Sequence, residues 1–170
     1  ISKQDLCDVF NLETNLFPCF VDMKFQGVRV DVQKAMSVKA QLQETEKKLL
    51  EDINKLAGFD VEIWAAASIA KAFDGQKIPY DRTEKGAPSF TKNFLATHPA
   101  ELPKLINEAR EINKANTTFI DTILKHEHNG RIHAEINQIR SDQGGTVTGR
   151  FSYNNPNLQP IPARHKHLGP

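Results

Sequence analysis

The chain has 170 residues, 39% of them hydrophobic and 25% charged, which suits a globular domain with a core of its own. Lys and Arg (22) so nearly balance Asp and Glu (21) that the net charge is +1; this argues against a free-standing DNA-binding protein with an overall basic footprint and confines any nucleic-acid contact to local clusters. No apolar run approaches the roughly 20 residues of a membrane span, no basic-then-apolar segment opens the chain, and Cys7 and Cys19 form neither a disulfide framework nor a zinc pattern, as expected in a reducing cytoplasm.

The first residue is Ile1, so the chain is expected to be a fragment, a processed product or part of something longer. Residues 1–20 mix Phe10, Leu12, Leu16, Phe17 and Phe20 with polar residues and predict a short helix ending near Pro18. Phe25 to Asp31 predicts an extended turn around Gly27 and then an N-cap at Asp31. From Asp31 to Gly58, Val38, Leu42, Leu49, Ile53 and Leu56 recur at helical spacing, and Gly58 suits a C-terminal stop. At about 1.5 Å per residue that helix is about 40 Å long. A second helix is expected from Asp60 to Phe73, capped by Asp60 and stopped by Gly75, with Trp64 as a packing residue. Residues 75–89 read as a loop, Ser89 as the cap of a short helix through Leu95, and Pro99 and Pro103 as the start of a long helix to His126.

On that last helix, stepping about 100° per residue collects Leu105, Ala109, Ile112, Ala115, Phe119, Ile120 and Ile123 on one arc. Asn107, Arg110, Lys114, Thr117 and Thr118 gather opposite, a basic and hydroxyl-rich face without a carboxylate among them. After Asn129-Gly130, residues 131–139 alternate as one strand, with Ile132, Ala134 and Ile136 on one side and His133, Glu135 and Asn137 on the other. From Ser141 onward Gly, Pro, Asn and Ser dominate, and such a tail is expected to be mobile or to lean on something else.

The stretch from Thr146 to Arg164 holds two arginines, several amides and hydroxyls, three prolines and the apolar anchors Leu158 and Ile161. Arginine and amide groups suit phosphates and minor-groove acceptors, although an irregular loop satisfying its own backbone would look similar. In order and spacing the stretch resembles the family-A DNA polymerase signature T-x-T-G-R-[LF]-S-x-x-x-P-N-L-Q-x-I-P-x-R. Gly27-Val28-Arg29-Val30-Asp31 resembles that family's entry to the first thumb helix, and Lys85-Gly86-Ala87-Pro88-Ser89 its thumb-tip loop. Arg110, Lys114, Thr117, Thr118 and Phe119 match its returning helix; Gly130 to His133, Asn137 and Gln138 match the strand after it. Pro160 and Tyr153 depart from the usual residues and favour a divergent, phage-like branch.

The resemblance implies a mainly α fold: a lead-in over 1–30, a helical thumb over 31–128 built on a long antiparallel helix pair, and a first palm segment over 129–170 with a short β element and an extended loop. It implies a DNA-binding part of a template-directed DNA polymerase that grips primer–template DNA in a bacterial or phage-infected cell. Arg110, Lys114, Thr117, Thr118, Asn137, Gln138 and Thr148 would meet the duplex. Arg150 would probe the minor groove at the primer end, where every correct pair presents a similar acceptor. Asn157 and Gln159 would touch template and primer, and Arg164 would lie near the incoming nucleotide. The Mg2+ ions of the complete polymerase would be held by carboxylates outside this chain, beginning about twenty residues beyond Arg164, so the chain is expected to hold no catalytic residue or metal, to be inactive alone, and to need the remaining palm and fingers as partner. The histidines His126, His128, His133, His165 and His167 are read as chance neighbours, and no phosphate loop or nucleophile motif is present. A non-catalytic DNA-binding module and a helical interaction protein are the competing readings.

Overall fold

A computed structural model of the chain describes residues 6–139 and 145–161. It is mainly helical and falls into two compact units, one of residues 6–35, 119–139 and 145–161, the other of residues 36–118.

The first unit opens with α1 (Cys7–Gln26), which runs through Pro18 instead of stopping there. Val21, Met23, Lys24 and Phe25 carry the helix on, and the break falls where left-handed backbone becomes available, at Gly27 (φ 65°), whose N–H closes on Met23 O at 2.9 Å. The last carbonyls of α1 are met by side chains from a distant strand: Arg131 Nη1 donates to Gln26 O at 2.9 Å, and His133 Nδ1 lies 2.8 Å from Lys24 O. The strand lies so close that a Cβ on Gly27 would stand 2.7 Å from Ile132 O and 2.8 Å from His133 Nδ1.

That strand belongs to a three-stranded antiparallel sheet of β1 (Val28–Arg29), β4 (Glu127–His128) and β5 (Arg131–Ile132), in the order β1-β5-β4. Asn129 and Gly130, both at positive φ, form its tight turn, as the Asn-Gly pair predicts. The expected single strand over 131–139 is broken at His133–Ala134, and β6 (Glu135–Asn137) pairs elsewhere, with β7 (Ser152–Asn154). Part of the tail therefore has a fixed place: Glu135, Ile136 and Asn137 face Asn154, Tyr153 and Ser152, and Phe151 packs edge-on to Phe20 at 4.9 Å.

Asp31 caps α2 (Val32–Ala57) as predicted, accepting Lys34 N–H at 2.9 Å; from Met36 on this helix belongs to the second unit, and Gly58 (φ 79°) ends it. Leu42 and Ile53 are buried, Val38 and Leu49 half-buried, but Leu56 faces water. The helix expected from Asp60 begins only at Ala66, as α3 (Ala66–Gly75). Asn54 explains the delay: its Oδ1 takes Val61 N–H at 2.8 Å and its Nδ2 donates to Asp60 at 2.9 Å, so Asp60 is held against α2 and caps nothing. The segment in between is irregular, with Val61 and Ile63 buried and Glu62 and Trp64 exposed. Trp64, read from sequence as a packing residue, is 59% exposed.

The loop expected over 75–89 contains a small ribbon, β2 (Asp81–Arg82) against β3 (Pro88–Ser89), folded over Gly86 at φ 80°. Ser89 is therefore a strand residue, and Thr91 caps α4 (Lys92–Thr97) by accepting Phe94 N–H at 3.3 Å. Then α5 (Glu101–Lys114), with Pro103 in its first turn, leads into a π-helical segment (Ala115–Ile120) and α6 (Asp121–His126), where one uninterrupted helix was expected. The core of this unit gathers Ile53, Val61, Ile63, Ile69, Phe73, Phe90, Leu95, Leu102 and Ile106 around the edge-packed rings of Phe73, Tyr80 and Phe90.

Candidate nucleic-acid interface

The residues singled out from the sequence fall in both units: along the polar side of α5 in the second and in the β6–β7 region of the first. Arg110 and Lys114, one helical turn apart, part company. Arg110 is half-buried and points back into its own unit: Nε donates to Ile63 O at 2.7 Å and Nη1 to Phe90 O at 3.0 Å. Its guanidinium also stands 5.1 Å from the Trp64 ring centroid. Desolvation lowers its pKa from the ordinary guanidinium value, and the positive charge is held by the two carbonyls and the ring. The expectation that Arg110 lies along a DNA backbone meets a half-buried side chain whose Nε and Nη1 already serve the loops before α3 and before α4.

Lys114 stays exposed and forms no ion pair or hydrogen bond with a described residue. The π-helical segment begins directly after it. A wider turn rotates the following residues, so Ala115 and Asn116 are buried while Thr117 and Thr118 face water together. Thr117 Oγ1 donates to Asn113 O at 2.8 Å, which leaves its oxygen lone pairs outward. The outcome is an exposed amine followed by one exposed hydroxyl, that of Thr118, still able to donate, a donor set suited to anionic oxygens.

In the β6–β7 region several predicted residues bind one another. Asn137 Nδ2 donates to Asn154 Oδ1 at 2.6 Å, and Asn154 and Asn155 both donate to Glu135 Oε2, at 2.9 and 3.1 Å. Gln138 is tied to α1 through the carbonyl (2.7 Å) and carboxylate of Glu13. Gln159 Nε2 donates to Phe151 O at 3.1 Å, and Asn157 Oδ1 accepts Gln159 N–H at 3.0 Å, which leaves the Asn157 amide N–H groups without a partner among the described residues. Thr148 Oγ1 reaches Thr146 Oγ1 at 3.4 Å, and Thr146 in turn holds Arg150 O at 2.5 Å, which fixes the backbone at Arg150. The Arg150 side chain is exposed and has no partner among the described residues. Arg164, His165 and His167 lie outside the described residues.

Beside these polar groups is an apolar cleft of about 590 Å³, lined mainly by Val28, Val30, Ile123, Ile132, Leu158 and Ile161. The exposed side of α1 carries Phe10, Phe17, Val21 and Phe25. Among the described residues no three His, Cys, Asp or Glu side chains gather as a metal site requires, so no step through a metal is assigned to them. His126 and His133 each bond a backbone carbonyl. Among the described residues no helix is long and apolar enough to cross a membrane.

Trp64 and Asn113 were not singled out as site residues from the sequence. The signal for Trp64 was present: Val61-Glu62-Ile63-Trp64 alternates apolar and exposed positions with period two, which in extended backbone turns Trp64 away from the core.

Comparison with known proteins identifies the family. The model of DNA polymerase family A matches residues 32–168. The DNA polymerase DpoZ of Acinetobacter phage SH-Ab 15497 is 36% identical over 99% of this chain, which spans 30% of that protein. A thermostable DNA polymerase I of Thermus filiformis is 32% identical over 90% of the chain and 19% of its own length. Among solved structures, the POL domain of Pol1 from M. smegmatis, in complex with DNA primer-template and dNTP, superposes with a TM-score of 0.71 over 88% of this chain and 26% of that one; at 21% identity this shows the shared fold.

Proposed function

The chain belongs to DNA polymerase family A, and on that premise we propose that it is the part of a template-directed polymerase that grips primer–template DNA, with residues 31–128 as thumb and residues 129–170 as the start of the palm. The observation that carries the reading is Lys114 with Thr118: an exposed ammonium without a partner among the described residues, followed by an exposed hydroxyl, at positions matching the family's returning thumb helix. These groups bind the phosphate backbone without reading sequence, as a polymerase moving along DNA requires. Arg150, exposed on a backbone fixed through Thr146, is the group that meets minor-groove acceptors at the primer end. Asn157 contributes its amide N–H groups. Arg110, Asn137 and Gln138 hold their surfaces in shape and act through their neighbours.

The chain spans no more than a third of the relatives described above, so polymerisation belongs to a larger assembly. Its partner is the remaining palm and fingers, with carboxylates outside this chain holding Mg2+. The exposed apolar residues of α1 and the cleft at Val30, Ile132 and Leu158 are the surfaces that such a partner would cover.

The test is salt-titrated binding of primed duplex by the chain, and primer extension by the complete polymerase. Lys114→Ala is expected to weaken binding and to reduce the salt dependence by about one released counterion. Arg150→Ala is expected to slow extension, with its larger effect at the primer terminus. A complete polymerase that extends primers normally with both substitutions would refute the assignment.

A further inference from the structure

A single exposed tryptophan on a surface needs no explanation by itself, but this one is fixed at both an edge and a face. Trp64 is 59% exposed, yet Nε1 donates to Asn113 Oδ1 at 3.2 Å and the Arg110 guanidinium stands 5.1 Å from the ring centroid. Both partners are themselves held. Asn113 Nδ2 donates to Glu46 Oε1 at 2.8 Å, and Arg110 grips the carbonyls of Ile63 and Phe90. The backbone on the N-terminal side is pinned by buried Val61 and Ile63. The indole is thus a rigid plate over the polar side of α5, with its remaining surface toward solvent.

Its surroundings suit one class of ligand. Lys114 follows the Asn113 partner and shares a helix face with Arg110, and Thr117 lies one turn beyond Asn113. The carboxylates nearby are largely engaged: Glu46 holds Asn113, and Glu111 pairs with Lys92 at 3.0 Å, while Glu62 faces water. A fixed aromatic surface beside an exposed cation is the chemistry that receives a nucleic-acid strand. The ring packs on a sugar or a base, and the cation pairs with phosphate.

We propose that Trp64 is a DNA-contacting residue, its open surface packing on the deoxyribose or base of a strand whose phosphate is met by Lys114. The inference rests on the reading of this unit as the part that grips DNA. In duplex the accessible surface is the sugar edge; in single-stranded template it is the base.

Trp64 is the only tryptophan of the chain, so its emission reports this position alone. The 170-residue chain is titrated at low salt with end-labelled primed duplex, blunt duplex and single-stranded oligonucleotide. DNA anisotropy follows binding, while tryptophan emission and its quenching by acrylamide follow Trp64. Emission is expected to change in step with anisotropy, and bound DNA to shield the indole from acrylamide. Shielding by blunt duplex identifies the sugar edge as the contact, and shielding by the single strand alone identifies the base. Trp64→Ala is expected to weaken binding roughly 5- to 150-fold, the range of an aromatic–base stack, while Trp64→Phe keeps a stacking face and most of the affinity. A rise in anisotropy with unaltered emission and unaltered acrylamide access overturns the Trp64 contact and leaves the DNA-binding reading intact. No rise with any DNA overturns both.

Discussion

Replacing Arg110 with alanine removes the bonds to Ile63 O and Phe90 O together with the cation held against Trp64. Hydrogen bonds to charged groups contribute about 1.5–3 kcal/mol each, and an exposed cation–π contact about 0.5–1 kcal/mol. The lower end applies, because water can reach both carbonyls around a half-buried side chain and because alanine also relieves the desolvation that lowers the Arg110 pKa. The expected loss is about 3 kcal/mol, or roughly 6–12 °C in melting temperature for a chain of this size. Urea unfolding followed by Trp64 emission reads that loss in the unit that contains Arg110. Arg110→Lys should recover less than half of it, since one ammonium cannot span two carbonyls as a guanidinium fork does. DNA binding decides between the two roles. An arginine that serves the fold leaves the salt dependence unchanged, whereas removal of a phosphate contact lowers the slope of log K against log salt by about 0.9. If Arg110→Ala cost less than about 0.5 kcal/mol, the ordinary range for a surface substitution, and lowered the salt slope, the structural role argued for this residue would be refuted.

Lys114→Ala should do the converse, lowering the salt slope by about 0.9 with no measurable change in the urea midpoint, since Lys114 is exposed and unpaired among the described residues. Thr91→Ala removes the side-chain cap on Phe94 N–H and should cost about 1 kcal/mol in the same unfolding assay, with Thr91→Ser restoring it. Gly27→Ala forces a Cβ to 2.7 Å from Ile132 O in left-handed backbone and should cost more than about 2 kcal/mol; a cost under 1 kcal/mol would show that β5 can move away. Asn116, 5% exposed with no partner for its Oδ1, should tolerate leucine with a gain of about 1 kcal/mol, seen as a higher urea midpoint.

Features set by local chemistry were legible in the sequence. The Asp31 cap, the Gly58 stop and the Asn129-Gly130 turn depend on residues a few positions apart and stand where the pattern puts them. The errors came where a distant group outweighed a local preference. Asn54, from α2, binds Asp60 and Val61 N–H and so delays the start of α3. Thr91 rather than Ser89 caps α4 because Ser89 is taken up in pairing with Asp81. Pro18 fails to end α1 because a proline inside a helix removes one bond, whereas Gly27 supplies the left-handed turn that lets the chain reverse toward β5.

The same distinction divides the candidate site. A helical wheel gives the direction in which a residue leaves the axis, but not what covers it. Arg110 and Lys114 leave α5 on one side, and the wheel treats them alike. Arg110 is covered because residues 60–65 fail to form a helix: Asn54 holds that segment down, Ile63 turns inward, its carbonyl comes within 2.7 Å of Arg110 Nε, and Trp64 is carried over the guanidinium. Lys114 has no such cover, and the π-helical segment that starts behind it turns two threonines to the same side as solvent. A charge on the polar face of a helix therefore binds a ligand only where the rest of the fold leaves it open. By that criterion the surface of this unit that we propose for DNA begins at Trp64 and continues through Lys114 and Thr118, with Arg110 beneath it as support.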